Sequence, residues 1–272
     1  MKVGFIGLGS LGAPIARKIA QSGFPLTVYD ISPAAVEAFD EVGADHASDP
    51  IEAALRSEIL CACVRMDADL VDIAGDGALF AALGKGGIFI VHSTVAPELC
   101  QQLAETAKKH GVALIDAGVS GGGPAAMRGE LSIYVGGEDG DVEKARPLLE
   151  SYGKIAHLGP VGRGMQGKLL NNLVSIANYG MSAAILDLGE SLGFDRALLR
   201  DALLAGSADG FALRAVPGLL RPEAAGALRQ LLGKDLDHAR GLAPASNTAI
   251  AALVPAAESM LARLERAAAE KK

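Results

Sequence analysis

Short apolar runs rich in Val, Ile and Phe recur through the first part of the chain: KVGFIG, PLTVYD, EILCACV, GIFIVHS and VALIDA. They alternate with Ala-rich stretches of helical period, such as GAPIARKIAQSG and PELCQQLAETAKKH. Near-continuous apolar strands alternating with helices predict a parallel sheet covered on both faces. A further pair, LSIYVGG and KIAHLG, flanks the helical DVEKARPLLESYG and extends the sheet. After GPVGRGMQG the rhythm changes and no strand is predicted. Met165 to Leu192 reads as one apolar-periodic segment of about seven helical turns. From Ala197 the chain is rich in Ala and Leu, with helix breaks expected at Pro217, Pro222, Pro244 and Pro255 and a fraying end at ERAAAEKK. The pattern predicts an α/β domain over residues 1–160 and an all-α domain over 161–272, joined by a long interdomain helix.

With 272 residues, half of them hydrophobic, the chain can bury two modest cores. No apolar run approaches the roughly 20 uninterrupted residues of a membrane span, and MKVGFIGLGS reads as a strand rather than a leader. A soluble, cytoplasmic protein with no membrane partner is expected. A formal net charge of −7 without a basic cluster argues against nucleic acid. Cys61, Cys63 and Cys100 have neither disulfide-framework nor zinc spacing, and the five histidines are scattered, so no metal site is expected. The long segment is apolar on more than one face and carries the small residues Gly180, Ser182, Ala183 and Ala184. A homodimer or higher homo-oligomer is therefore expected to cover it.

The first strand ends in Gly7-Leu8-Gly9-Ser10-Leu11-Gly12, a G-x-G-x-x-G at a strand-to-helix turn. In such a loop the first glycine permits the turn, the second lets a pyrophosphate approach the backbone, and the third lets helix and strand pack closely. The following helix offers free N–H groups to the phosphates. A second strand ends in Asp30, at the spacing of the acidic residue that accepts from the ribose hydroxyls of NAD and repels the 2′-phosphate of NADP. The plainer alternatives are a simple turn and a loop or N-cap aspartate. The reading is a Rossmann domain that takes NAD, with NADP disfavoured by Asp30.

Further blocks carry a family resemblance. GFIGLGSLGAPIARKIAQSG resembles the opening of the β-hydroxyacid dehydrogenases, the group of 3-hydroxyisobutyrate dehydrogenase and tartronate semialdehyde reductase, with Leu11 in place of the usual Met. His92–Pro97 (HSTVAP) resembles the family's D-x-S-T-x-x-P segment. Asp116–Gly122 (DAGVSGG) resembles DAPVSGG, with Gly118 in place of Pro. Gly162–Asn172 (GRGMQGKLLNN) resembles G-x-G-x-x-x-K-x-x-N-N, and Gly233–Ala239 (GKDLDHA) resembles the K-D-L stretch of a helical domain like that of 6-phosphogluconate dehydrogenase. The blocks occur in the family's order and cover most of the chain.

The resemblance implies an NAD-dependent oxidoreductase that moves a hydride between nicotinamide and a small anionic β-hydroxy acid or its semialdehyde. Lys168 is the implied general acid/base, with Asn172 one turn on along the same helical face. Ser175 and Tyr179 continue that polar stripe. Ser120, Gly121 and Gly122 would hold the substrate carboxylate, with Lys234 closing over it. The implied cofactor set is Gly7, Leu8, Gly9, Leu11, Gly12, Asp30, Arg65, Met66, Ser93, Thr94 and Lys234. Plainer readings stand beside these: a snorkelling Lys168, a tight loop at 120–122, a surface Lys234, and a helix N-cap at Ser93-Thr94.

Departures fall outside the cofactor motifs. The stretch from Asn172 to Lys234 is shorter than usual, and Ala227-Leu228 stand where an aromatic residue is common. With seven Phe, four Tyr and no Trp, no aromatic-lined pocket is expected. Arg65, Arg128 and Arg163 sit where the motifs do not ask for Arg, and one of them could read an extra anionic group. Two alternatives remain open, a phosphogluconate-type oxidative decarboxylase and a non-catalytic NAD-binding scaffold.

Overall fold

The computed structural model describes residues 1–270, so Lys271 and Lys272 lie outside the described residues. The chain divides into two compact units, Met1–Lys168 and Leu169–Lys272. The first is built on eight strands: β1 (Val3–Ile6), β2 (Leu26–Tyr29), β3 (Asp45–His46), β4 (Ile59–Ala62), β5 (Ile88–Val91), β6 (Ala113–Ser120), β7 (Leu131–Gly136) and β8 (Gly153–His157). They form one sheet in the order β3-β2-β1-β4-β5-β6-β7-β8. The strands β1, β4 and β5 are buried at every position, as their unbroken apolar runs require. Two apolar layers result, one containing Phe5, Ile15, Val28, Ile90 and Leu148 and the other Ile6, Leu60, Phe80, Phe89 and Leu103.

Two details differ from the expected sheet. The strand β3 is only two exposed residues and carries no apolar signal. Strand β7 runs antiparallel to β6, pairing Asp116 with Gly136 and Ser120 with Ser132. The link between them holds only the seven-residue helix Gly122–Arg128, too short for a parallel crossover. The two units divide within the long helix Arg163–Ser191. Its first turn packs on the sheet: a Cβ on Gly164 would lie 2.5 Å from Gly136 N and Tyr134 O.

Among its described residues the second unit contains helices and no strand, as expected. The long helix contributes Leu169, Leu173, Ile176 and Ala177 to a core shared with Leu236 of Pro222–Arg240 and Met260 and Leu264 of Thr248–Ala269. By length and composition Arg163–Ser191 is also apolar enough to cross a membrane, but it holds no uninterrupted apolar run of that length and its inner face belongs to this core. Gly180 lets it approach Thr248–Ala269 closely, since a Cβ there would strike Ala256 O. Pro222 opens a helix, whereas Pro217 and Pro255 lie inside helices rather than ending them. One missing N–H is tolerated at Pro255 because Ala257, Met260, Leu261 and Leu264 just beyond it are buried.

Candidate active site

The strands β1, β4, β5 and β6 are mutually parallel, so their C-terminal ends share one edge of the sheet. That edge gathers the predicted residues of the first unit: Gly7–Gly12 after β1, Arg65 and Met66 after β4, Ser93 and Thr94 after β5, and Ser120–Gly122 at the end of β6. This is the edge where open α/β sheets bind ligands.

The glycines differ in what they do for the chain itself. Gly7 has φ +92°, and a Cβ there would strike Cys63 O. A Cβ on Gly12 would strike Gly7 O, so the third glycine lets the helix Gly12–Gln21 start directly over the loop. Gly9 is exposed, and a Cβ on it would meet nothing within 4 Å. No protein atom requires glycine at that position, whereas a pyrophosphate resting on the loop does. The cradle therefore fits a dinucleotide. Leu8 is buried and Leu11 half-buried, so both hold the loop from beneath.

Asp30 ties the loop to β2. One carboxylate oxygen accepts from Leu8 N at 2.6 Å and the other from Ser32 N at 2.8 Å. Each oxygen retains a lone pair, so its tie to the loop leaves Asp30 able to accept from a ribose hydroxyl. Ser93 is buried, and its hydroxyl accepts from Val64 N at 2.8 Å, linking the ends of β4 and β5. Neither Ser93 nor Thr94 caps the next helix: the N-cap is Ala96, whose N–H donates to Asp67 at 3.0 Å. Arg65 and Met66 are exposed on the same edge.

The second loop lies beside the first. Gly121 (φ +126°) and Gly122 (φ +71°) adopt conformations that favour glycine, and a Cβ on Gly123 would sit 3.0 Å from Ser10 O. Gly118 faces the long helix, where its missing side chain leaves room for the Cβ and Cγ of Lys168. Lys168 is buried. A continuous path thus runs from the cofactor loop through Gly123 and β6 to Lys168, all within the first unit.

Asp116 was not among the predicted site residues. Fully buried, it accepts Gly162 N at 2.7 Å and Met165 N at 2.6 Å, holding the start of the helix that bears Lys168. Burial pushes its pKa up to about 6, against the opposing pull of these amides. Also buried is His92, whose Nδ1 bonds Ala117 O at 2.9 Å while Tyr152 OH lies 3.2 Å from Nε2. Burial lowers the His92 pKa to about 4.

In the second unit, Asn172 Nδ2 donates to Asp235 Oδ2 at 2.7 Å, and Lys234 Nζ lies 3.7 Å from Asp235 Oδ1. Asp235, the aspartate of the K-D-L block, was also missed; it fixes Asn172 and pairs with Lys234. An open cavity is lined by Ser175, Asn178, Tyr179, Ser182, Asp209 and Phe211. Two rings, Tyr179 and Phe211, meet there with centroids 6.5 Å apart. Of the arginines left open, Arg128 pairs with Glu130 and Arg163 with Gln166. Among the described residues no cluster suited to a metal ion is found.

Residues 2–172 match the family model described as the NAD binding domain of 6-phosphogluconate dehydrogenase. The chain is 34% identical to the mitochondrial 3-hydroxyisobutyrate dehydrogenase of Mus musculus over 199 residues, 72% of this chain. That match spans 59% of the mouse enzyme, less than two thirds of its length. An NAD-dependent L-serine dehydrogenase of Pseudomonas aeruginosa is 32% identical over 257 residues, covering 90% of this chain and 86% of that one. Among solved structures, Psf3 in complex with NADP+ and 2-OPP has a TM-score of 0.82 at 26% identity, covering 97% of this chain and 93% of that one.

Proposed function

This chain belongs to the β-hydroxyacid dehydrogenase family, and from that premise we propose that it oxidises a small β-hydroxy acid with NAD, using Lys168 as the general base. The observation that carries the reading is the path along one sheet edge from a dinucleotide cradle to a buried lysine. Bound NAD supplies the hydride acceptor. The chain's own part is to hold the substrate and move its proton. The hydroxyl proton passes to the neutral Lys168 amine as the carbinol C–H bond breaks, leaving a carbonyl, and returns from the ammonium in the reductive direction. Ser120 and the Gly121-Gly122 backbone are suited to the substrate carboxylate. Asn172, fixed by Asp235, is suited to a substrate oxygen, and Lys234 to a second charge.

Relatives named for 3-hydroxyisobutyrate and L-serine favour hydroxy acids of that size. Purified protein should form NADH with a member of a panel built on these two acids, faster with NAD than with NADP because Asp30 disfavours a 2′-phosphate. Preference for NADP would overturn the role given to Asp30. Carbon dioxide released together with NADH would favour the oxidative decarboxylase. Absence of turnover across the panel with NAD still bound would favour the scaffold.

The proposed assembly is a homodimer. Leu170, Val174, Met181, Ile185 and Leu188 are all exposed and fall within about 60° of one face of the long helix at 100° per residue. Such a stripe on one helix is an apolar surface that a second copy can cover. Light scattering at micromolar concentration should give twice the chain mass, and a monomer would contradict it. A cytoplasmic location is proposed with the same reading.

A further inference from the structure

The start of the long helix is held to the sheet more tightly than a helix end needs to be. Asp116 and Gly118 lie two apart on β6, so both address the same face. The carboxylate of Asp116 grips Gly162 N and Met165 N, one amide per oxygen. On the neighbouring strand, a Cβ on Gly136 would lie 2.7 Å from Gly164 N, and one on Gly164 would lie 2.6 Å from Asp116 O. Backbone thus meets backbone with no side chain between. Four residues after Gly164, on the same side of the helix, comes Lys168. A Cβ on Gly118 would lie 2.6 Å from its Cβ and 2.8 Å from its Cγ, where carbon atoms need about 3.5–4.0 Å.

We propose that Gly118 is a positioning residue for Lys168: its missing side chain lets the lysine's stem bed directly on β6, while Asp116 fixes the helical turn from which that stem springs. The two act together. Because the Cβ of Lys168 is fixed to the helix backbone, a side chain at 118 is relieved only by lifting the turn that bears the lysine against the Asp116 clamp. A side chain at 118 would not allow the lysine stem this close to β6. The inference rests on the acid–base role proposed for Lys168.

The test is Gly118→Ala, with Lys168→Ala assayed beside it. A crystal structure of Gly118→Ala should show the Lys168 Cβ and Cγ moved by about 1 Å. The kcat should fall roughly 10- to 100-fold, while the NAD dissociation constant and the KM for the hydroxy acid stay within about twofold. A general loss of structure would instead move all three. Asp116→Asn reads the same clamp from its other end, because an amide N–H facing backbone N–H groups loosens the helix start. It should also lower kcat with NAD affinity kept. An unmoved lysine stem, or kcat within about twofold of the parent in a folded Gly118→Ala protein, overturns the inference. Inactive Lys168→Ala beside fully active Gly118→Ala overturns it alone, whereas active Lys168→Ala overturns the acid–base reading beneath it.

Discussion

Both units depend on glycines at close quarters, for opposite reasons. In the helical unit, Gly180 and Gly189 are small because a neighbour occupies the space: Ala256 O stands over one and the Leu199 side chain over the other. In the sheet unit, Gly9 is small although the space beside it is empty. The first kind of glycine records packing within the fold. The second records something the fold alone does not contain. Empty space alone does not mark a ligand site, since Gly140 and Gly218 also have nothing within 4 Å; what sets Gly9 apart is empty space at the second glycine of a G-x-G-x-x-G loop.

The contrast can be broken by substitution. The largest expected effect is at Gly180→Ala, where the added methyl meets a backbone carbonyl and forces two helices apart. It should cost about 3 kcal/mol and lower Tm by roughly 10 °C in thermal unfolding. NAD affinity should be unchanged, since the cofactor residues on the sheet edge lie in the other unit. Gly9→Ala should do the reverse. Titration calorimetry should show NAD affinity reduced about tenfold, equivalent to about 1.4 kcal/mol, with Tm barely altered. Loss of stability at Gly9→Ala with NAD affinity intact would erase the distinction.

A smaller effect sharpens it. The sheet unit contains two buried titratable groups whose linkage has opposite sign. Folded Asp116 binds its proton more tightly than the unfolded chain, with a pKa of about 6 against 3.8, so falling pH favours the fold. Folded His92 binds its proton less tightly, about 4 against 6.5, so falling pH disfavours it. Between about pH 6 and 4.5 each contributes roughly 2 kcal/mol, in opposite directions. Their net effect on parent stability over that interval should be close to zero. Asp116→Asn removes one partner and should expose the His92 slope as acid lability in a pH series of Tm values. An unchanged series for that variant would contradict the assignment.

Much of this was legible in the sequence because its signals were local. The apolar runs gave the strands of the main sheet, the 3.6-residue period gave the long helix, and the glycine spacing with Asp30 gave the cofactor edge. What escaped depends on neighbours distant along the chain. Asp116 looks like one more polar residue at a strand end until Gly162 and Met165 fold back onto it. Asp235 needs Asn172, 63 residues earlier, before it has a role. Strand β3 has no apolar residues to betray it. Gly136 and Gly164 bring the start of the long helix onto the sheet, a contact no window of sequence displays. Pro217 and Pro255 were read as helix ends from local stereochemistry that surrounding packing overrides.

On the proposed reading, cofactor binding and proton transfer are separable along one sheet edge, the first at the glycine loop and the second at Lys168. The most direct test is to measure NAD affinity and single-turnover NADH formation on the same Lys168→Ala sample, with the best hydroxy acid from the panel. NAD affinity should stay within about twofold of the parent while the rate falls by roughly 10²–10⁴-fold. NADH formed at the parental rate would contradict that reading, as would NAD binding lost together with the rate.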